Sequence, residues 1–189
     1  MSDAFPYLSV LVSIIIGLGM SHLLGALVRG IHNRTRTRVY WPSVVWGFNL
    51  FVLLMLVWWS EFDLNHHEHW TFAIFACTIA LPALIYVMCG LILPASEART
   101  SDDMRSLYNA NRAWFFSLHA AAIALSFLQT YLIDGTIRLG IDSALKILIL
   151  GFALVMAFQS TDRLQKIAAI ANLTWLLSYI AILFGTLRT

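Results

Sequence analysis

Charged residues are scarce in this sequence of 189 residues. Asp, Glu, Lys and Arg make up 12% of the chain and hydrophobic residues make up 60%, whereas a soluble domain typically carries about 25% charged residues. This shortage excludes an ordinary water-soluble globular enzyme. The net charge of +2 is also too small to indicate nucleic-acid binding, which requires clustered basic residues.

Cysteines and catalytic motifs are scarce as well. Cys77 and Cys89 are about 18 Å apart along a helix, so they cannot bridge each other within one chain. The sequence contains no GxSxG, HExxH, P-loop or CxxC motif, and its apolar segments hold no nucleophile–base pair or paired carboxylates. We therefore expect a protein that is not an enzyme.

Long apolar segments dominate what the sequence does contain. Each is near the roughly 20 residues that a helix needs to cross a membrane, and all are too long and too uniformly apolar for the strands of a membrane barrel. The sequence predicts an all-α integral membrane protein, a single domain of six transmembrane helices. The predicted spans are 7–29, 40–60, 70–93, 102–133, 142–160 and 162–187.

Basic residues predict the orientation of this bundle. The loops on one side hold nine of them, against Arg138, Lys146 and Arg188 on the other. Loops rich in Lys and Arg stay in the cytoplasm. Both termini are therefore expected on the non-cytoplasmic side, and the expected location is a bacterial inner membrane. The nine residues are Arg29, Arg34, Arg36, Arg38, Arg99, Arg105, Arg112, Arg163 and Lys166.

Small residues occupy every fourth position of the first predicted helix, at Ser9, Ser13, Gly17, Ser21 and Gly25. Such a stripe lets two helix backbones approach closely, and in lipid this packing stabilises helix association. The stripe predicts packing against helix 4 or helix 6 of the same chain. A contact between subunits is one alternative, and the lining of a small polar pore by its serines is another.

Polar side chains fall at a similar depth on four of the predicted helices. At 1.5 Å per residue, His22 lies about 10 Å and His119 about 8 Å inside the cytoplasmic face. Asn172 has a comparable depth and Asn49 is slightly deeper. Polar and ionisable groups are costly in lipid and usually face the interior of a bundle. These residues, together with Ser21, predict a polar site in the cytoplasmic half of the membrane.

Three roles are open for His22 and His119. Each could hold two helices together through a hydrogen bond to a hydroxyl or a backbone carbonyl. Together they could line a pathway for ions, protons or a small solute, where titration near neutral pH is useful. Because they have one depth on different helices, they could also be the axial ligands of a haem.

The loop between helices 2 and 3 contains His66, His67, Glu68 and His69. Histidine and carboxylate are suitable ligands for zinc or copper, so these residues form a candidate metal site. Their spacing matches no established site, and the alternative is a solvated loop that responds to pH.

The shared depth of the polar residues favours a small channel or transport-type protein that needs no cofactor. One alternative is a bis-histidine haem protein for electron transfer, and another is a non-catalytic accessory or assembly subunit of a larger membrane complex. The expected partners are lipid and either further copies of the chain or a larger complex, but not nucleic acid. A homo-oligomer is expected for any pathway, because a bundle this small is expected to enclose little more than a polar crevice.

Overall fold

The computed structural model describes residues 4–32, 39–61, 64, 70–93, 104–137 and 140–184. These residues form no strand and six α-helices, each long and apolar enough to cross a membrane. The prediction of an all-helical protein with six such helices is confirmed, and the helix bounds differ from the predicted ones by no more than three residues. The helices are α1 (Ala4–His32), α2 (Trp41–Ser60), α3 (Phe72–Ile92), α4 (Met104–Asp134), α5 (Ile141–Phe158) and α6 (Asp162–Phe184).

Local sequence signals explain where two of the helices begin. α2 starts at Trp41, and Pro42 occupies its first turn, where a backbone N–H has no helical partner in any case. α3 follows Thr71, whose hydroxyl accepts a hydrogen bond from the Ile74 N–H at 3.3 Å. α3 then continues as one helix through Pro82.

Five of the described helices form a closed ring in the order α2, α3, α4, α5 and α6, with α6 returning to α2. α1 lies outside this ring and packs against α2 and α3. The sequence favoured α4 or α6 as its neighbours, but the structure places α1 beside the two helices that follow it in the chain, as is usual for consecutive elements. Its packed face consists of the buried residues Leu8, Val12, Ile16 and Leu23.

A layer of aromatic side chains fills the ring near one end. Trp46 of α2 meets Phe115 and Phe116 of α4 edge-on, with ring centroids 5.1 and 5.3 Å away. All three side chains are fully buried. Edge-to-face pairs contribute about 0.5–1.5 kcal/mol each beyond their area burial, so these rings form a stable aromatic layer across the ring of helices.

The two ends of the ring differ in charge. The end where α2, α4 and α6 begin carries Arg105, Arg163 and Lys166, and we call it the basic end. The opposite end, where α2 ends and α5 begins, carries Glu61 and Asp142, and we call it the acidic end. The aromatic layer lies nearer the basic end, since Trp46 is in the second turn of α2.

Candidate functional site

Residues of α2 to α6 line a cavity of about 860 Å³ between the aromatic layer and the acidic end. Its lining on α2 extends from Trp46 to Glu61, and its lining on α4 extends from His119 to Asp134. Either face is about 22 Å long at 1.5 Å per residue, against roughly 30 Å for the hydrocarbon core of a bilayer. The cavity lined by a single chain therefore extends over most of this thickness.

Three of the polar residues predicted from the sequence line the inner end of the cavity: Asn49, His119 and Asn172. The two asparagines are buried, with 3% and 4% of their surface exposed. The ring of His119 packs edge-on against Trp46, with centroids 6.1 Å apart. Its Nδ1 atom is buried and has no hydrogen-bond partner among the described residues. The structure thus places polar groups from three helices directly above the aromatic layer.

The amide of Asn49 has a fixed orientation. Its Nδ2 group donates to the carbonyl oxygens of Val45 and Ala169, each at 3.3 Å. Since both partners are acceptors, the nitrogen and the oxygen of the amide cannot be exchanged. Oδ1 is left as a buried acceptor without a partner in the described part of the chain.

Polar residues of α4 continue the lining towards the acidic end. Gln129 donates from Nε2 to Thr78 Oγ1 at 3.1 Å. The hydroxyls of Ser126 and Thr130 donate within the helix, to the carbonyls of Ile123 (2.8 Å) and Ser126 (3.0 Å). The two hydroxyls and one of the two N–H groups of Gln129 are therefore engaged with neighbouring protein atoms.

Ionisable side chains surround the mouth of the cavity at the acidic end. Lys146 bonds Asp142 at 2.8 Å, and the Tyr179 hydroxyl donates to the same carboxylate. Asp134 is exposed, whereas Glu61 has only 7% of its surface exposed and its Oε2 atom has no partner among the described residues. Burial raises the pKa of the Glu61 carboxyl to about 7.

A hydrogen-bonded network closes the basic end. The Asp162 carboxylate accepts from the Tyr40 hydroxyl at 2.8 Å and pairs with Arg105 at 3.3 Å and with Lys166 at 2.7 Å. Burial and the Asp162 carboxylate raise the pKa of Tyr40, so its hydroxyl stays protonated and continues to donate. The starts of α2, α4 and α6 are thereby joined at one carboxylate.

A second chain of bonds lies beside Asp162. The Tyr108 hydroxyl donates to Gln165 Oε1, and Gln165 Nε2 donates to the carbonyl of Gln159, both at 2.6 Å. Gln165 is fully buried, and the ring of Tyr108 lies 5.2 Å from that of Tyr40. We refer to Tyr40, Arg105, Tyr108, Asp162, Gln165 and Lys166 as the basic-end network.

His22 and Ser21, the other two members of the predicted polar site, lie on α1 and do not line the cavity. The Nε2–H of His22 donates to the carbonyl of Leu93 at 2.7 Å, and its ring lies edge-on to Tyr86 at 6.3 Å. Ser21 is exposed. The structure therefore brings three of the five predicted residues together and places His22 in the contact between α1 and α3.

The stripe of small residues faces largely away from the ring. Ser13, Gly17 and Ser21 are exposed, and Ser9 and Gly25 are partly buried. Ser13 Oγ accepts a hydrogen bond from the indole N–H of Trp58 at 3.4 Å. The close approach of α1 to α2 occurs elsewhere, at Gly19, where a Cβ atom would lie 2.9 Å from Cδ1 of Leu54.

The two cofactor hypotheses fall on different parts of the chain. His66, His67, Glu68 and His69 lie outside the described residues, so the metal site stays a prediction. Within the described ranges, no group of three or more His, Cys, Asp and Glu side chains could hold a metal ion. For haem, the structure places His119 in the cavity lining and His22 outside it.

The sequence analysis did not identify the α4 wall or the acidic mouth as parts of the site. A signal for the wall was present, because His119 and Ser126 are seven residues apart and therefore lie on the same face of α4. The mouth residue Glu61 gave no such signal, since a carboxylate at a helix end is ordinarily solvated.

Comparisons of the chain with protein-family models, with curated proteins and with solved structures find no match.

Proposed function

We propose that the protein is an integral membrane protein of a bacterial inner membrane, with the basic end in the cytoplasm and both termini outside. The six long apolar helices support insertion. Arg105, Arg163 and Lys166 lie at one end and Lys146 near the other, which supports the orientation by the positive-inside rule. The cavity then faces the outside of the cell, and the basic-end network faces the cytoplasm.

In that membrane, the protein acts as a transport-type protein that binds a small solute in the cavity and releases it on the other side. The observation that carries this proposal is the cavity of about 860 Å³ inside one chain, with Asn49, His119 and Asn172 at its inner end. Polar groups with only a structural role are normally hydrogen-bonded when they are buried. Here Asn49 Oδ1 and His119 Nδ1 are buried without a partner among the described residues, and both side chains belong to the cavity lining.

Transport requires that the cavity be reachable from both sides of the membrane in turn. The lining of the cavity reaches the acidic end, and the aromatic layer and the basic-end network lie at its other end. A second state, in which this end separates and the mouth closes, completes the cycle. The network suits such a role, because it consists of hydrogen bonds and ion pairs between three different helices.

Access to a single cysteine in the cavity wall tests the proposal. Ser126→Cys is made in a background with Cys77→Ala and Cys89→Ala, and a small, membrane-impermeant cationic thiosulfonate is added to right-side-out or inverted vesicles. We expect labelling from both sides. Labelling from the acidic side alone, or from neither side, would overturn a transport role.

Three reference cysteines calibrate this experiment. Thr136→Cys lies in the exposed turn after α4 and reports the acidic side, and Ser160→Cys lies in the exposed turn before α6 and reports the basic side. Val155→Cys is exposed on the outer surface of α5. It is expected to stay unlabelled in lipid, where the reactive thiolate does not form.

The two alternative functions have less support. Haem ligation by His22 and His119 is disfavoured, because His22 already bonds Leu93 and lies outside the cavity lined by His119. An accessory subunit needs no cavity reachable from both sides, so the labelling experiment separates that function from transport.

A further inference from the structure

Two buried hydrogen-bond acceptors belong to residues that line the cavity. Asn49 Oδ1 at its inner end and Glu61 Oε2 at its mouth are both buried acceptors without partners among the described residues. Both side chains are more than nine-tenths buried and both line the cavity. An unsatisfied buried acceptor is unfavourable, so a ligand whose N–H groups reach these side chains gains affinity here.

The wall between these two levels has the same character. The hydroxyls of Ser126 and Thr130 and one N–H group of Gln129 donate to neighbouring protein atoms. A hydroxyl or an amide that has donated in this way still has acceptor lone pairs on its oxygen. The oxygens of Ser126, Gln129 and Thr130 can therefore accept hydrogen bonds from a ligand in the cavity.

The charged residues at the mouth indicate the sign of the charge on the ligand. Among the described lining residues, the carboxylates of Glu61, Asp134 and Asp142 face one ammonium group, that of Lys146, which is paired with Asp142. Glu61 and Asp134 remain without a basic partner in the described part of the chain. In a site with low dielectric, this excess of negative charge attracts a cation and repels an anion.

The rest of the lining is apolar and aromatic. Trp46, Trp59 and Trp175 line the cavity together with leucine and isoleucine side chains. An apolar body gains free energy from leaving water in such a site, and indole faces also attract organic cations. A bare metal ion would leave most of this surface unused.

We propose that the solute is an organic ammonium ion with at least one N–H group and an apolar body, bound with its ammonium group at Glu61. This inference rests on the proposed function and specifies the chemical class of its solute. The N–H group donates to the carboxylate of Glu61, which has no basic partner in the described part of the chain, and the apolar body lies along the wall towards Asn49.

Three probes of similar size separate charge from donor chemistry. The purified protein in lipid nanodiscs is titrated calorimetrically at pH 8 with 2-phenylethylammonium, with trimethyl(2-phenylethyl)ammonium and with 3-phenylpropionate, and protein-free nanodiscs provide the background. We expect 2-phenylethylammonium to bind most tightly, the trimethyl ion to bind about tenfold more weakly because it has no N–H, and the carboxylate not to bind. Binding of the carboxylate as tight as that of the ammonium ion would overturn the inference.

Substitution of Glu61 tests the position of the ammonium group. Glu61→Gln keeps the shape of the side chain and removes its charge, and we expect it to weaken 2-phenylethylammonium binding by about tenfold or more. Ser178→Ala, which removes an exposed hydroxyl of α6 outside the cavity lining, is expected to leave binding unchanged. Full affinity in Glu61→Gln would overturn the assignment, and the comparison of the three probes in the unsubstituted protein does not depend on how this variant folds.

The two proposals fail separately. If Ser126→Cys is labelled from both sides but none of the cations binds, the ammonium inference is wrong and transport of another solute stands. If 2-phenylethylammonium binds but Ser126→Cys is labelled from the acidic side only, the ligand class stands and transport is wrong.

Discussion

Glu61 and Asp142 are carboxylates at the same mouth, yet their surroundings differ. Asp142 has 41% of its side chain exposed, pairs with Lys146 and accepts a hydrogen bond from Tyr179. Glu61 is buried, its Oε2 has no partner in the described chain, and burial raises its pKa to about 7. Glu61 is therefore the carboxylate at this mouth that is expected to gain or lose a proton near neutral pH.

This difference predicts that cation binding depends on pH. Glu61 is neutral below about pH 7 and ionised above it, so the affinity for 2-phenylethylammonium is expected to rise about tenfold between pH 5.5 and pH 8.5. The charged or titratable groups that also face the mouth are Asp134 of α4, Asp142 and Lys146 of α5, and Tyr179 of α6. Calorimetry on the unsubstituted protein and on Glu61→Gln measures the effect.

Ligand affinity is expected to rise with pH, whereas the free energy of unfolding of the ligand-free protein is expected to fall with pH. A buried carboxyl whose pKa is raised on folding binds more protons in the native state, so ligand-free stability falls as the pH rises from about 4.5 to about 7. Ligand affinity rises towards the upper end of the same range. In Glu61→Gln both trends are expected to disappear, and an affinity that is flat or falls with pH in the unsubstituted protein would contradict the prediction.

At the scale of helices, the sequence indicates the position of a residue along its helix, but it does not indicate where that helix lies around the bundle. Residue counts placed His119 and Asn172 at comparable depths and Asn49 slightly deeper, and all three line the cavity. The same count also placed His22 at this level, but it gives no information on where α1 lies around the bundle. Since α1 is outside the ring, His22 bonds Leu93 instead.

The polar face of α4 could have been predicted from the helical periodicity of the sequence. The cavity face of this helix follows the helical repeat from His119 through Ser126 to Thr130. This periodicity is visible without a structure. The neighbours of that face depend on the order of helices around the ring, which helix patterns alone do not fix. Glu61 was likewise not predicted, because its burial depends on the ring that forms around it.

The basic-end network is predicted to hold the starts of α2, α4 and α6 together and so to keep this end of the ring closed. Tyr40→Phe and Asp162→Asn each remove part of the junction between the starts of α2, α4 and α6. We expect either substitution to speed labelling of Ser126→Cys from the basic side severalfold, because the state open at this end becomes more populated. The rate of labelling by the impermeant reagent in inverted vesicles measures this effect.

A control on the same turn of α6 makes the comparison specific. Arg163 is exposed and adjoins Asp162 in sequence without pairing with it in the structure, so Arg163→Gln is expected to leave the labelling rate unchanged. If neither Tyr40→Phe nor Asp162→Asn speeds labelling, the network does not hold this end closed.

At the scale of the whole molecule, α1 lies outside the ring of helices that lines the cavity. Formation of the cavity and association of subunits therefore involve different helices. A single chain encloses the cavity with α2 to α6, so a second copy is not needed to form one. The sequence-based argument for a homo-oligomer assumed that a lone bundle could enclose only a crevice. Whatever association occurs can use α1, whose outer face presents the exposed part of the small-residue stripe.

Two glycines of α1 differ in what a larger side chain would meet. A Cβ atom on Gly19 would lie 2.9 Å from Leu54, which is fully buried, whereas a Cβ atom on Gly17 would meet nothing within 4 Å. We expect Gly19→Val to destabilise the fold by about 1–3 kcal/mol through overpacking. Gly17→Val is expected to leave the melting temperature of the single chain unchanged.

The same pair of variants tests the proposed homo-oligomer. If Ser13, Gly17 and Ser21 form the contact between copies, Gly17→Val prevents close backbone approach, and native mass spectrometry from mild detergent is expected to show fewer subunits than for the unsubstituted protein. Gly19→Val, whose effect lies inside the chain, should lower the melting temperature without selectively reducing subunit number. An unsubstituted protein that is a monomer, or a Gly17→Val protein with an unchanged subunit count, would contradict the stripe contact. The cavity would then remain the property of one chain, because α1 takes no part in the ring that encloses it.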